Sequence, residues 1–534
     1  MRALSFATIC LSLLLACGGP PRGAEQSGPG ARYAGRVTYD ARHPTPRGAS
    51  EAIEVRPARH VDVAILDRSG ATLAEGRTDE DGRFELGAPP SAHTLRVFAR
   101  VRVRGHDAAI ARDPNGGETH ALDTALDAAP TEDGQLAIHA RDRDGEAGAF
   151  HVVDTLVRGL DAVKRWTDVT LPPVYAYWVR GGTREWSFYR GERPAGSGRY
   201  ALELLGGDPG QASISDTDEH DEAIILHELG HFVMDRLTSD SSTGGTHPRG
   251  FRIDPGLAWE EGRATWFALA VLRAPLYQDT IGVEPWGRLR VDEEMESDED
   301  PVAGYGSEMS VAKILWDLSD GEGASPDALP DTDQDGIALG PAAILRAMMA
   351  HAREPGVFPS LPSFLRHLVR DAGLVEREAL AAMLSRTNEP VDELLPDGPL
   401  PWPRPIALGA PVEDTIDGLS QPAPSGGRNI GLTGFDAVHS YLVTVEEPGM
   451  IVARLTIEGS GGPSDRTDVD MQLLDRDAES LAESSQTQSR ESLAHLVQPG
   501  TYVLRVRDGG GRGNRARYRL EVLFETLGGP PIRP

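Results

Sequence analysis

The segment DEAIILHELGHFVMDRL, Asp221 to Leu237, constrains this chain more than any other. Its apolar run, Ala223 to Leu226, calls for a buried helix, yet two histidines and a glutamate stand in its middle. Such groups are costly to bury without partners. His227 and His231 are four residues apart, so they share one helix face. Both imidazoles can then reach a single Zn²⁺ at the roughly 2.0–2.1 Å of a zinc–nitrogen bond. Glu228 follows the first histidine and would face the open coordination position, where it could take a proton from a metal-bound water. The apolar neighbours bury the helix, hold the ligands in place and lower the local dielectric. A third ligand is expected from a second helical run, LAWEEGRATWFAL, which offers both Glu260 and Glu261.

With 534 residues the chain is too long for one hydrophobic core, and two to four domains are expected. Acidic residues exceed basic ones by 29, which disfavours a nucleic-acid partner because phosphates would be repelled. The 60 glycines and 40 prolines point to many turns and to appreciable β structure. The opening MRALSFATICLSLLLACGGP has an arginine and then an apolar run, Ala3 to Ala16, too short to span a bilayer. It reads as a secretory signal. The only cysteines are Cys10, inside that run, and Cys17, so no disulfide and no disulfide-linked partner is expected after processing.

Residues 18–30, GGPPRGAEQSGPG, read as a flexible tether. From residue 31 to 105 short alternating runs such as VDVAILD and TLRVFARVRV are split by Asp, Gly and Pro turns, the pattern of an all-β unit. Residues 106–135 are polar and irregular and read as a linker. Helical periodicity begins with AFHVVDTLVRGLDAVKRWT, where Phe150, Val153, Leu156, Val157, Leu160 and Val163 share a face. Further helices are expected at SEMSVAKILWDLSD, PAAILRAMMAHA and LPSFLRHLVRDAG, so residues 136–395 form a mainly helical domain with a small β component. PDGPLPWPRP lies in a stiff linker placed at 396–410, and residues 411–525 are β-patterned again.

Several of these segments resemble known families. LLAC, ending at Cys17, is similar to the lipobox of bacterial lipoproteins, which implies cleavage just before Cys17, a lipidated Cys17 and anchoring in the cell envelope. Gly18 in place of an aspartate implies the outer membrane. GRTDEDGRFEL, Gly76 to Leu86, resembles the hairpin of the transthyretin-like, carboxypeptidase-regulatory-like sandwich. DVDMQLLDRD and GTYVLRV resemble the pre-peptidase C-terminal sandwich. HELGH followed by Glu-Gly resembles the gluzincin metallopeptidases, in which a Glu directly before Gly completes a His-His-Glu site. Carried onto this chain that residue is Glu261, with Glu260 as the alternative. The gap between the motifs is longer here, and SSTGGTHPRGFRIDP forms the extra loop. No Gly-x-Met-Glu-Asn segment is present, which favours endopeptidase over aminopeptidase action.

The fold class expected is therefore multidomain, with a mainly α (α+β) zincin-like metallopeptidase domain flanked by two all-β sandwiches. Relatives place a tyrosine much as Tyr305 stands here, which names Tyr305 as a donor to the developing oxyanion. His247, His351 and His367 are further candidates, and Thr265 could hydrogen-bond behind the ligands. Asp331, Asp333 and Asp335 match the front half of a Ca²⁺-binding loop, although Ala342 stands at its twelfth position. VDEEMESDEDP reads as a charged surface loop.

The favoured function is a lipid-anchored zinc peptidase, with a peptide or protein substrate, a zinc-bound water as nucleophile and Glu228 as general base. The competing readings are a non-catalytic adhesin or scaffold with a relic peptidase domain, and a zinc hydrolase acting on a non-peptide bond.

Overall fold

A computed structural model describes residues 31–103, 106–113, 117–126, 135–182, 186–191, 200–207, 211, 215–239, 242, 244–297, 302–321, 329–330, 336–417, 433–458, 468–486, 489–509 and 515–527. The signal and tether with Cys17, and the Asp331, Asp333 and Asp335 loop, lie outside the described residues.

The first part of the chain forms strands β1 (Ala31–Ala41), β2 (Pro44–Thr45), β3 (Gly48–Ala49), β4 (Glu54–Pro57), β5 (Val61–Leu66), β6 (Thr72–Arg77), β7 (Arg83–Ala88), β8 (Thr94–Val103), β9 (His106–Arg112), β10 (Ala121–Ala125) and β11 (Leu136–Ala140). In β1 the period-two alternation buries Val37, Tyr39 and Ala41. β1 pairs with β11 in parallel and with β4 and β7 antiparallel. The expected hairpin around GRTDEDGRFEL is a corner between sheets, since β6 pairs with β5 while β7 pairs with β1. Thr78 ties that corner down by donating to the Ala58 carbonyl at 2.6 Å, and Gly82 takes a left-handed φ of 74°.

The expected boundaries at residues 105 and 135 are not those of the structure. β9 and β10 occupy the stretch read as a linker, and β9 carries the sheet onward. A long sheet runs in the order β13-β14-β12-β9-β8-β5-β6, through β12 (Val174–Tyr177), β13 (Phe188–Arg190) and β14 (Tyr200–Glu203), which follow helix α1 (Ala147–Thr167). The β9–β12 pairing is parallel, with Ala109 opposite Val174. Small residues in HDAAIAR hid this strand, because it is buried by its neighbours and carries little alternation of its own.

Helix α1 buries Phe150, Val153, Leu156, Val157 and Val163 against these strands, and Asp154 accepts a hydrogen bond from the Tyr39 hydroxyl at 2.8 Å. After it come α2 (Glu222–Leu237), α3 (Pro255–Leu272), the hairpin β15 (Leu276–Ile281) and β16 (Arg288–Glu294), then α4 (Glu308–Asp317), α5 (Pro341–His351), α6 (Leu361–Arg370), α7 (Arg377–Arg386) and α8 (Val391–Leu394). Residues 291–294, read as loop, are part of strand β16. One apolar core runs without a break from Val37 and Tyr39 through Leu226 and Trp266 to Leu384 and Trp402. The first strands and the helices thus share one interior.

The last part holds β17 (Arg404–Pro405), β18 (Val412–Asp417), β19 (Val438–Val445), β20 (Gly449–Glu458), β21 (Val469–Leu474), β22 (Ser480–Ser484), β23 (Arg490–Val497), β24 (Gly500–Asp508) and β25 (Arg515–Thr526). They form two sheets, β17-β19-β24-β21-β22 and β18-β25-β20-β23, over a separate core that includes Ile416, Val443, Leu455, Met471, Leu504 and Leu520. The chain is therefore multidomain, with a C-terminal β-sandwich whose first strand, β17, ends the proline-rich stretch, so the expected linker at 396–410 already contributes to the sandwich. The sandwich touches the helical part where Asp254 N donates to Thr433 O at 2.8 Å and Phe435 N to Arg252 O at 3.0 Å. Among the described residues no helix is long and apolar enough to cross a membrane.

Candidate active site

Helices α2 and α3 pack so closely that their backbones touch. A Cβ on Gly230 would lie 2.9 Å from Ala264 Cα and 3.0 Å from Ala264 O. The glycine of HELGH is thus a packing requirement of the seam. Gly262 plays the same part on the other side of α3, where a Cβ would stand 2.6 Å from the Glu308 carbonyl of α4. Asp254 starts α3 by accepting hydrogen bonds from the backbone of Gly256 and Leu257, with Pro255 in the first turn.

This seam brings three donor atoms together. His227 Nε2 and His231 Nε2 are 3.1 Å apart, and Glu261 Oε2 is 3.2 Å from each. The His227 ring is fixed from behind, where Nδ1 lies 3.0 Å from the Thr265 hydroxyl. With Nδ1–H donating to Thr265, the lone pair of Nε2 faces the other two donors. An ion roughly 2.05 Å from three atoms spaced like these would subtend angles of about 100°, close to a tetrahedral face. Two imidazole nitrogens and one carboxylate oxygen suit Zn²⁺ both chemically and geometrically. Glu228 is buried beside this triangle, at 7% exposure.

Of the two carboxylates in EEG, Glu260 turns away. It forms a buried ion pair with Arg263, whose Nη1 also donates to Thr238 Oγ1 at 2.9 Å and Nη2 to Ser239 O at 3.1 Å.

His247, in the loop between α2 and α3, reaches back over the site. Its Nε2 lies 3.5 Å from Glu261 Oε1 and its Nδ1 2.9 Å from Glu308 Oε2. Burial works against its charged form, but Glu261 and Glu308 outweigh that and push the imidazole up to about 10. His231 behaves alike, with burial outweighed by Glu261, then Glu228 and Glu260, and rises to about 9. Burial would raise Glu261, yet His247, His231 and His227 hold it well below the usual carboxylate range.

Tyr305 is placed elsewhere. Its ring packs 5.5 Å from Phe435 and beneath Arg252, next to the C-terminal sandwich, and the charges that act on it come from Glu393, Arg252 and Arg404. The tyrosine beside the site is Tyr277 of β15, with its ring 5.9 Å from that of His227. Burial holds its phenol well above the ordinary range, and Glu308 and Glu228 are among the charges that act on it. The strand pattern LYQDTI after α3 was the available signal, since β15 is sequence-adjacent to the helix that bears Glu261. His351 and His367 also lie apart. Their rings are 5.4 Å from each other, and His367 pairs with Glu354. Burial, with the charges of His367 and Arg263, pushes His351 down to about 3, as expected for a neutral structural histidine.

A family model described as the Mycolysin C-terminal domain matches residues 188–337. That stretch contains α2, α3, β15, β16 and α4, hence every residue of the triangle, and it sets this part of the chain in a peptidase context. No curated protein matches the chain. Among solved structures, the pre-peptidase C-terminal domain of a collagenase from Bacillus anthracis is 17% identical with a TM-score of 0.16, covering 22% of this chain and 92% of that one. PliG, a periplasmic inhibitor of g-type lysozyme from Aeromonas hydrophila, is 14% identical with a TM-score of 0.16, covering 23% of this chain and 95% of that one. Likenesses at these scores carry no weight for the chain as a whole.

Proposed function

We propose that the chain is a zinc-dependent metallopeptidase of the gluzincin type, with endopeptidase action favoured, held at the bacterial outer membrane through a lipidated Cys17. The observation that carries the reading is the triangle of His227, His231 and Glu261, buried at two corners and half-buried at His231, with the buried Glu228 beside it. Those three residues would hold a Zn²⁺ ion, which would supply Lewis acidity and make a water acidic enough to give up a proton near neutral pH.

Glu228 would accept that proton as the water oxygen adds to the peptide carbonyl carbon, and would pass it to the leaving amine as the C–N bond breaks. Thr265 keeps His227 in the tautomer that presents Nε2 to the site. His247, carrying a proton between Glu261 and Glu308, takes the part first assigned to Tyr305. It holds Glu261 by its second oxygen and sets a positive charge beside the site, where it would favour the negative charge that develops on the carbonyl oxygen. Tyr277 packs its ring beside that of His227.

The test is zinc content and peptide cleavage by the purified protein, with Glu228→Gln as the control. The variant should bind one zinc per chain and lose cleavage by about 10²–10⁴-fold. Full cleavage by Glu228→Gln would reject this mechanism. A protein that takes up no zinc at all would instead support the scaffold reading.

A further inference from the structure

A second set of convergent carboxylates lies outside the zinc triangle. Asp216, Asp218 and Asp221 come from DTDEHD, the six residues directly before α2, and Asp279 comes from β15. One carboxylate oxygen from each of the four lies within 4.8 Å of the other three. Asp218, Asp221 and Asp279 are buried, at 3%, 0% and 7% exposure.

The protein's own groups answer only part of this charge. Thr280 N and Oγ1 donate to Asp221 Oδ2, each at 2.9 Å, and Ser187 Oγ donates to Asp218. Arg290 donates to Asp216 Oδ2 at 2.7 Å and lies 3.7 Å from Asp279 Oδ2. It is the one cation in salt-bridge range of the four among the described residues. Asp279 Oδ1 is buried with no hydrogen-bond partner, an orphaned acceptor inside the cluster. Burial and mutual repulsion push Asp218 and Asp221 well above the ordinary range and Asp279 up to about 7. Four carboxylates this close in a desolvated place are not all ionised without more positive charge than one guanidinium carries.

We infer that Asp216, Asp218, Asp221 and Asp279 bind a calcium ion that ties the segment ahead of α2 to strand β15. The donors are all oxygen, which selects against zinc. Four protein carboxylates in an uneven cage suit the larger, flexibly coordinated Ca²⁺ better than Mg²⁺, which keeps most of its waters. The ion would sit at a mechanically sensitive point. Asp221 is the residue before α2 and six before His227, and Asp279 is two residues beyond Tyr277, so one ion fixes both elements that flank the zinc ligands. The inference does not depend on α2 carrying out hydrolysis.

The test uses the full chain, stripped of divalent ions and reloaded with zinc, with CaCl₂ titrated while heat of binding and thermal unfolding are followed. One calcium per chain should bind through this site, and the unfolding midpoint should rise by at least about 3 °C. The double variant Asp218→Asn, Asp279→Asn should fold, because it loses repulsion. It should keep its zinc and lose the calcium-dependent rise. Absence of any rise at millimolar calcium would overturn the inference. So would an undiminished rise in the double variant, which would place the ion elsewhere, or an equal rise with magnesium. Zinc measured in the same samples separates this outcome from failure of the zinc site.

Discussion

Gly230 of α2 rests directly on Ala264 of α3, and this contact sets the separation at which Glu261 meets the two histidines. A methyl group on residue 230 would press on the Ala264 backbone, which cannot rotate aside as a side chain can.

Gly230→Ala should therefore part the helices. Overpacking of this kind costs about 1–3 kcal/mol. Zinc affinity should fall by about 10-fold or more as Glu261 and Thr265 are drawn away from His227. Urea unfolding and competition with a chelator measure the two effects. Unchanged values in both would show that the helices are not held at this distance.

Glu260 and Glu261 should separate cleanly when each is changed to glutamine. Glu261→Gln should lose zinc while the fold persists. Glu260→Gln should keep zinc but leave the buried Arg263 guanidinium without its carboxylate, at a cost of roughly 3–5 kcal/mol. Zinc content and denaturant unfolding of the two variants decide it, and the reverse pattern would exchange the roles.

The base of α2 should be sensitive to acid. Glu222 is bound by Arg56 at 2.5 Å, Arg158 at 2.8 Å and His151 at 3.3 Å. Burial would raise its carboxyl, but His151, Arg158 and Arg56 hold it far below the usual range. The folded value lies below the unfolded one, so the unfolded chain takes up the proton first as acid is added. The stabilisation from Glu222 is thus complete above about pH 5 and fades as pH falls below about 4. The stability difference between the protein and Glu222→Gln should be constant at neutral pH and shrink in acid. A difference that widens in acid would contradict the assignment.

Much of the helical part was legible because its periodicity is strong. The face Phe150, Val153, Leu156, Val157 and Val163 is buried as its spacing requires, with Leu160 of the same face half-buried, and the runs at 308–317, 341–351 and 361–370 are helices. The β part was read less well. Strand β9 is made largely of small residues, and although it pairs locally with β8, its place beside β12 rests on pairing between segments more than sixty residues apart. Tyr305 was named by its position along the chain. Its backbone turns at Gly304, with φ 93°, and its ring is buried against Phe435 of a different domain.

By itself the sequence determined that one helix presents two imidazoles on a single face with a carboxylate beside them, since a spacing of four residues leaves a helix no other arrangement. Helical spacing alone could not choose between Glu260 and Glu261, because adjacent residues point about 100° apart around a helix and either can face a partner; the expectation of Glu261 came from the resemblance to the gluzincins. Only the packing of α3, wedged between Gly230 on one side and α4 on the other, decided which carboxylate turns inward. The same is true of His247, Tyr277 and the four aspartates, whose proximity arises from loops and strands brought together by a shared core and from no periodicity along the chain.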